Sequence, residues 1–249
     1  MTTLMYHDIF SISPGESGFT FRTAMPYKVE LSIFVAGLKA LKALHPDNLG
    51  EYVEFTFDDG GVSAMEVAAI LEENGLRGIF FISTAFIGKP GFLTAEQIHE
   101  LHESGHIIGA HSHSHPYEKK AIALEWEESV KILSGITGAP ITTASSPHGL
   151  VSKDIIRKAA ACGITTLYTT EPTIGPRIRS GVEIKGRFCI HRNDSPHDIC
   201  LIALDRRKQS AMHVKWKALS ILRAMLGKHY PKLKTLFYYP ITVSHNKNA

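Results

Sequence analysis

The sequence has few cysteines, no long apolar segment and no recognisable export signal. Its 249 residues include three cysteines, Cys162, Cys189 and Cys200, an odd number without paired spacing. They predict reduced thiols, which are typical of a cytosolic protein. No run approaches the roughly eighteen apolar residues of a membrane-spanning helix, and residues 1–6 lack the basic start of a signal peptide. We therefore expect a cytoplasmic protein, or one whose leader has been removed.

The sequence also lacks internal repeats, low-complexity segments and a clear boundary to a second domain. Apolar residues make up 44% and charged residues 20%, as in ordinary soluble globular proteins. The length lies within the range of single-domain α/β barrels. We predict a barrel over residues 1–195 and a basic helical extension, packed on the same domain, over residues 196–249.

Basic residues are concentrated in that extension. Residues 205–235 contain nine Lys or Arg and one acid, whereas the whole chain has a net charge of +3. No nucleic-acid recognition motif accompanies them, so we do not expect nucleic-acid binding. A helical apolar repeat runs from Ala211 to Leu226. It predicts either a helix packed on the barrel with a solvated basic face, or a surface helix on an anionic bilayer, peripheral to the inner face of the membrane.

Strand and helix patterns alternate through the rest of the chain. Strands are predicted over residues 3–7, 52–57, 78–83, 106–110, 141–145 and 165–168, with helices over 33–44, 62–74, 94–104, 121–133 and 152–161. This alternation indicates parallel βα units. Polar groups follow the strand ends, where α/β barrels place their chemistry. They are His7, Asp58, Asp59, residues 111–115 and residues 147–149.

Two of these groups have the composition of a metal site. Asp58 and Asp59 leave one strand, and alternation should point them in different directions, so that one can hold a metal and the other handle a proton. His111 and His115 end another strand. A carboxylate and two imidazoles can bind a divalent ion and leave room for water.

The two motifs together resemble a known family. Thr56-Phe57-Asp58-Asp59-Gly60, followed by His111-Ser-x-x-His115-Pro116, is similar to the paired signature of the NodB-homology polysaccharide deacetylases, carbohydrate esterase family 4, over roughly residues 3–192. The resemblance implies a distorted, incomplete (β/α) barrel with about seven strands. It implies Asp59, His111 and His115 as ligands of Zn²⁺, or of Co²⁺, Ni²⁺ or Mn²⁺, with Asp58 as general base. The implied reaction is attack of metal-bound water on the N-acetyl amide of a glycan.

The third family motif, Arg-x-Pro-x-Gly, is altered. The chain has Ser145-Ser146-Pro147-His148-Gly149, so the arginine that orients the base in relatives is absent. We expect Arg187 or Arg192 to replace it. Pro147 and Gly149 are retained, so the backbone N–H of His148 is expected to donate to the oxyanion.

The remaining motifs leave the general acid open. Glu171 is only a conjectural substitute for the aspartate of the fourth motif, and Cys189-Ile190-His191 keeps the histidine of the fifth. His191 is the first candidate for the acid and His7 the second. A strand would place His111, His113 and His115 on one face, whereas a helical turn would pair only His111 with His115. The spacing of the family motif implies the second arrangement, so His113 is expected to lie outside the metal site.

These departures indicate a divergent branch, such as enzymes that edit sugars during assembly of bacterial surface polysaccharides. One alternative is removal of a formyl or other acyl group from a lipid-linked amino sugar. Another is a catalytically silent glycan-binding relative. Retention of Asp58 favours an enzyme, because a structural metal site does not need a free base beside its ligand.

Overall fold

The computed structural model describes residues 1–226, and its centre is a nine-stranded curled sheet. The strands of the molecule are β1 (Thr2–Tyr6), β2 (Ile9–Phe10), β3 (Val29–Glu30), β4 (Val53–Phe57), β5 (Gly78–Ile82), β6 (Ile107–Ala110), β7 (Thr143–Ser145), β8 (Thr166–Tyr168), β9 (Arg177–Arg179), β10 (Val182–Lys185) and β11 (Phe188–Cys189). The sheet order is β11-β1-β4-β5-β6-β7-β8-β10-β9, and β2 pairs separately with β3.

The sheet is an incomplete barrel, as expected. Neighbouring strands from β11 to β10 are parallel, and only β9 joins in the antiparallel sense. Among the described residues β11 and β9 are its two edges, so no ladder closes it. Eight strands are parallel, where about seven were expected. The short strands β9, β10 and β11 were not predicted, and they extend the sheet at both ends.

Helices follow most of the strands. They are α1 (Leu31–Leu44), α2 (Leu49–Tyr52), α3 (Ala64–Glu73), α4 (Ala95–Glu103), α5 (Lys119–Thr137), α6 (Lys153–Ala161), α7 (Pro196–Leu204) and α8 (Arg206–Leu226). Local sequence explains several of their ends. Thr94 and Gln97 form a reciprocal capping box at α4, and the Ser152 hydroxyl accepts from the backbone N–H of Ile155 at α6.

Aromatic side chains hold the central strands together just below their carboxyl ends. Phe57 stacks on Tyr6 on one side and on Phe80 on the other, with ring centroids 5.5 and 5.1 Å apart. All three rings are buried. Every residue of β5 is also buried, as expected of a strand covered on both faces. The residues that follow β1 and β4, His7 and Asp58, therefore start from a rigid base.

The C-terminal extension begins with two helices on the outside of the sheet. α7 packs on α1 and β1, and Ser195 and Asp198 cap it reciprocally. The buried amide of Gln209 in α8 donates to the Thr2 hydroxyl and to the carbonyls of Ile202 and Ala203. The division at residue 195 stays a prediction. Residues 227–249, including the end of the basic segment, lie outside the described residues, and no described helix could span a membrane.

Candidate metal centre and catalytic site

The backbone changes direction between Asp58 and Asp59, at the end of β4. The backbone N–H of Asp58 still donates to the carbonyl of Tyr6 at 3.0 Å, so this residue continues the ladder with β1. Asp59 adopts a left-handed backbone conformation with φ 78°, and Gly60 follows with φ 84°. This conformation is uncommon for a residue with a side chain and turns Asp59 away from the strand. The two carboxylates consequently have different partners.

Asp59 lies against two imidazoles. Its Oδ1 is 3.5 Å from Nε2 of His111 and 3.4 Å from Nε2 of His115. One ligand atom from each residue falls within 4.8 Å of the others. Asp59 Oδ1 is buried and has no hydrogen-bond partner among the described residues, a state that a bound cation would relieve. One oxygen and two nitrogen donors suit a zinc-like divalent ion with an open position.

His111 is held in one orientation. It directly follows β6, and its Nδ1 lies 2.8 Å from the carbonyl oxygen of Ser145, to which it can only donate. The lone pair of Nε2 is then directed towards Asp59, the arrangement that metal-binding histidines usually show. His113 lies elsewhere, with Nδ1 2.9 Å from the Thr84 hydroxyl, and is not part of the Asp59 cluster.

The expectation of a helical turn between His111 and His115 was wrong. Residues 111–118 contain no helix, and Ser112 and His115 have φ values of 63° and 55°. The two rings still meet, with centroids 5.0 Å apart. The histidines therefore come together through a loop with left-handed residues, which spacing alone did not predict.

Glu125 of α5 holds that loop, and sequence reasoning did not identify it. Its carboxylate accepts from the Ser112 hydroxyl at 2.5 Å, from the backbone N–H of His113 at 3.0 Å and from both the backbone N–H and the hydroxyl of Ser114 at 2.8 and 2.6 Å. These donors lower the pKa of Glu125 against the opposing effect of burial. No sequence signal distinguished Glu125 from the other glutamates of α5.

Backbone strain is concentrated at this site. In residues 1–226 five non-glycine residues have positive φ, and only Ser180 lies away from the site. The other four are Asp59, Ser112, His115 and His148. Such conformations cost of order 1–3 kcal/mol each and persist where surrounding contacts enforce them. Such clustering is typical of functional sites.

Asp58 is paired with a buried arginine. Arg187, between β10 and β11, is fully buried and donates from Nη1 to Asp58 Oδ1 at 2.6 Å and from Nη2 to Oδ2 at 2.7 Å. It also donates to the hydroxyls of Ser145 at 2.7 Å and Thr56 at 3.2 Å, and to the carbonyl of Thr169 at 3.2 Å. Burial alone would raise the pKa of Asp58, but Arg187 and the nearby histidines hold it below its usual value.

Arg187 and Arg192 were the two expected replacements for the missing arginine, and Arg187 is the one that contacts Asp58. Arg192 instead lies over the ring of Phe10, 5.1 Å from its centroid. Glu171 pairs with Arg177 at the edge of the sheet, and neither contacts the two aspartates. Ser145 occupies the position of the missing arginine and contacts Arg187, so a guanidinium reaches Asp58 from another part of the chain.

The segment 147–149 borders the metal cluster. Pro147–Gly149 form a short 3₁₀ turn in which His148 has φ 57°. The ring of His148 packs edge-on against His115, with centroids 4.5 Å apart, and stacks on the exposed Tyr117 at 3.9 Å. The segment thus lies beside the cluster, as its expected role requires, and that role stays a prediction.

The two candidate acids lie on one stack of rings. His7 packs on Tyr27 with centroids 4.9 Å apart, and Tyr27 packs on His191 at 5.4 Å. His7 contributes to lowering the pKa of both Asp58 and Asp59. His191 is not among the groups that chiefly shift the pKa of either aspartate. Its own pKa is raised by Cys189 and Asp194. His7 is therefore the candidate that acts on both carboxylates, whereas the raised pKa of His191 favours its protonated form.

The electrostatics of the cluster suit a cation. Burial opposes ionisation of Asp59, yet its neighbouring histidines hold its pKa well below the usual range. Burial lowers the pKa of His115 to about 4, so this ligand is neutral at pH 7. The pKa of His111 is raised, because the two aspartates outweigh burial. A cation bound here would therefore compete with a proton for Nε2 of His111.

A second buried ion pair, between Lys28 and Asp8, holds the loop between β2 and β3. Sequence reasoning missed this pair. Lys28 Nζ lies 3.1 Å from Asp8 Oδ2, both are almost fully buried, and the Ser17 hydroxyl donates to Asp8 Oδ1 at 2.7 Å. A Cβ on Gly61 would lie 1.8 Å from Asp8 Oδ1. This pair therefore joins the loop to the turn that follows Asp59 and Gly60.

Comparison with known proteins places the chain in one family. The family model for polysaccharide deacetylase matches residues 46–167. The Bacillus subtilis (strain 168) protein YxkH, named as a polysaccharide deacetylase, is 26% identical over 148 residues, which cover 56% of this chain. That match spans 50% of the length of YxkH.

Solved structures share the fold. BC0361, a polysaccharide deacetylase from Bacillus cereus, matches with a TM-score of 0.65 and 20% identity, covering 81% of this chain and 68% of that one. A de-N-acetylase from Aggregatibacter actinomycetemcomitans matches with a TM-score of 0.61 and 16% identity, covering 81% and 98%. With the Asp-Asp-Gly and His-Ser-x-x-His residues assembled at one end of this sheet, the chain belongs to the polysaccharide deacetylase family.

Proposed function

We propose that the protein hydrolyses the N-acetyl amide of an amino sugar within a glycan or glycan precursor. The observation that carries this proposal is the pairing of a carboxylate, Asp58, fixed by a buried arginine, with an adjacent cluster of one Asp and two His. Membership of the polysaccharide deacetylase family supports the substrate class. The similar structure named as a de-N-acetylase supports the N-acetyl amide as the bond that is broken.

The cluster of Asp59, His111 and His115 would hold a divalent ion, and its donor set favours Zn²⁺ over harder ions such as Mg²⁺. Once bound, such an ion makes a water molecule more acidic and stabilises negative charge on a carbonyl oxygen. Ser145 and Glu125 support the ligands, the first by fixing the tautomer of His111 and the second by fixing the loop that carries His115.

Asp58 is proposed as the general base. Its bidentate pair with Arg187 keeps the carboxylate ionised and fixes its direction, so that it is ready to accept a proton at neutral pH. The same pair lowers its pKa and therefore its basicity. The pair with Arg187 therefore orients the Asp58 carboxylate but reduces its affinity for a proton. General base catalysis typically raises the rate by about 10²–10⁴-fold.

The general acid is proposed to come from the stack of His7, Tyr27 and His191. His7 has a buried Nδ1 without a hydrogen-bond partner among the described residues, and it lowers the pKa of both carboxylates. The pKa of His191 is raised by Cys189 and Asp194, which favours the protonated state that an acid needs. Comparison of His7→Ala with His191→Ala separates them, because replacement of the acid lowers turnover strongly with substrate binding intact.

The protein's cellular setting is also a proposal. All three cysteines are free, which supports a reducing, cytoplasmic location. In that location the substrate would be a precursor in the assembly of a surface polysaccharide. The site does not distinguish the carrier of the sugar.

The decisive experiment measures acetate released from N-acetylated oligosaccharides by the purified, metal-loaded protein and by Asp58→Asn. We expect release by the wild type and a loss of at least about 100-fold in the variant, which keeps the shape of the side chain but not the proton acceptor. Matched N-formyl substrates test the deformylase alternative. Glycan binding without release by the wild type would instead identify a silent relative.

A further inference from the structure

The outer face of α8 carries an apolar stripe whose side chains are largely exposed. Val214 is 65%, Ile221 62% and Met225 79% exposed, and Leu222 is 45% exposed beside them. The small side chain of Ala218 is exposed between them. These positions recur at helical spacing and form one continuous stripe. Scattered apolar residues on a surface need no explanation, but a continuous stripe indicates a binding surface.

Basic residues border this stripe on both sides. At 3.6 residues per turn, Lys217 and Lys215 lie about 80° to either side of the centre of the stripe, and Arg207 lies in line with it in the first turn of the helix. All three are exposed. The 21 residues of α8 include no Asp or Glu. The face is therefore apolar at its centre and cationic along both edges.

The opposite face of α8 attaches the helix to the protein. Gln209 is buried, and Met212 packs against the hydrophobic core. The Gln209 amide donates to Thr2, the first residue of β1, so α8 begins at the end of the sheet opposite to the site. A surface bound to the stripe would leave the site open to substrate.

We propose that this stripe binds the surface of an anionic lipid bilayer. An interfacial helix buries a narrow apolar face among the acyl chains while lysines on its flanks reach the lipid head groups. The charge pattern of α8 fits such a surface. A second copy of the chain fits less well, because pairing two identical stripes would bring the lysines on their edges together.

The test is sedimentation of the full chain with vesicles of equimolar phosphatidylglycerol and phosphatidylcholine, against vesicles of phosphatidylcholine alone. We expect binding to the anionic vesicles at low salt and release near 1 M salt, where the screening length falls to about 3 Å. The variant Arg207→Glu/Lys215→Glu/Lys217→Glu should bind at least about 100-fold more weakly, since each basic residue near the surface contributes about a factor of five.

The matched charge control reverses three exposed basic residues on α6: Lys153, Arg157 and Lys158. This variant should bind as the wild type does. The apolar test compares Val214→Ser/Ile221→Ser with Leu124→Ser/Ile178→Ser, whose side chains are similarly exposed at 60% and 68%. Only the first pair should weaken binding, and circular dichroism should show both variants folded.

Three results would overturn the proposal. The first is absence of wild-type binding to anionic vesicles at low salt. The second is equal binding by the α8 variants and their controls. The third is self-association without lipid that Val214→Ser/Ile221→Ser abolishes, which would identify a second copy of the chain as the occupant. Acetate release by the soluble protein is measured separately, so its failure would not be confused with failure of membrane binding.

Discussion

A pair of substitutions can remove Arg187, which binds Asp58, and then place an arginine on another strand, at Ser145 of β7. Arg187→Ser deletes a fully buried guanidinium that makes two bonds to Asp58 and one each to Ser145, Thr56 and Thr169. The carboxylate would be left buried without its partner. Breaking a buried ion pair from one side typically costs about 3–5 kcal/mol, so we expect the free energy of unfolding to fall by that amount. Activity should fall with it, because the base loses its orientation.

The exchange Arg187→Ser/Ser145→Arg should restore part of this loss. The Ser145 hydroxyl lies 2.7 Å from Nη2 of Arg187 and 3.3 Å from Asp58 Oδ2, so an arginine at 145 can reach the same carboxylate through the space that the deletion leaves. We expect recovery of about 2 kcal/mol relative to Arg187→Ser. Ser145→Arg alone should be strongly destabilised, since it buries two guanidinium groups beside one carboxylate.

Chemical denaturation of the four proteins in this cycle, together with acetate release, provides the measurement. If Arg187→Ser unfolds within about 0.5 kcal/mol of the wild type, the pair does not stabilise the fold as argued. If the exchange is no better than Arg187→Ser in either assay, the charge at the carboxylate is not what matters, and the assignment of Arg187 as the orienting residue fails.

Three further predictions concern the metal ligands, the loop that carries them and the buried His106. His111→Ala should lose its divalent ion by elemental analysis, whereas His113→Ala should keep it, and equal metal content in both would contradict the ligand set. Glu125→Gln should weaken metal affinity by about 10–100-fold because the amide cannot accept from all four donors of the histidine loop, with the exposed Glu127→Gln as unaffected control. The pKa of His106 is lowered by burial, so the ring is neutral in the folded protein. Stability should therefore fall as pH drops below about 6.5, by at most about 1.4 kcal/mol per unit, and His106→Gln should show a smaller slope.

Local sequence was sufficient to predict the elements that deliver the site. The caps at Thr94 and Ser152 were predicted because a cap depends on residues within one turn. The continuous apolar run 78–83 predicted a fully buried strand, and β5 is one. The candidate residues were found at the ends of strands because parallel strands bring their carboxyl ends to one edge.

Contacts between distant residues could not be predicted in this way. Arg187 and Asp58 are separated by 129 residues, and nothing near Arg187 indicated which way its strand would run. The short strands β10 and β11 were not predicted. The sequence therefore provided no reason to prefer Arg187 over Arg192 as the replacement for the missing arginine. Glu125 looked like any glutamate of an exposed helix face. The left-handed residues were also missed, because their conformations are imposed by these long-range partners and not by their own side-chain types.

Ser145 joins the two halves of the site and allows them to be tested apart. Its carbonyl accepts from His111, on the metal side, and its hydroxyl contacts Arg187 and Asp58, on the side of the base. Ser145→Ala keeps the backbone contact and leaves one buried guanidinium N–H without its partner, which should cost about 1–3 kcal/mol of stability. Metal content should stay at the wild-type level while acetate release falls. If the variant loses its ion along with its activity, the two carboxylates do not have separate supports, and the division of roles between Asp58 and Asp59 must be revised.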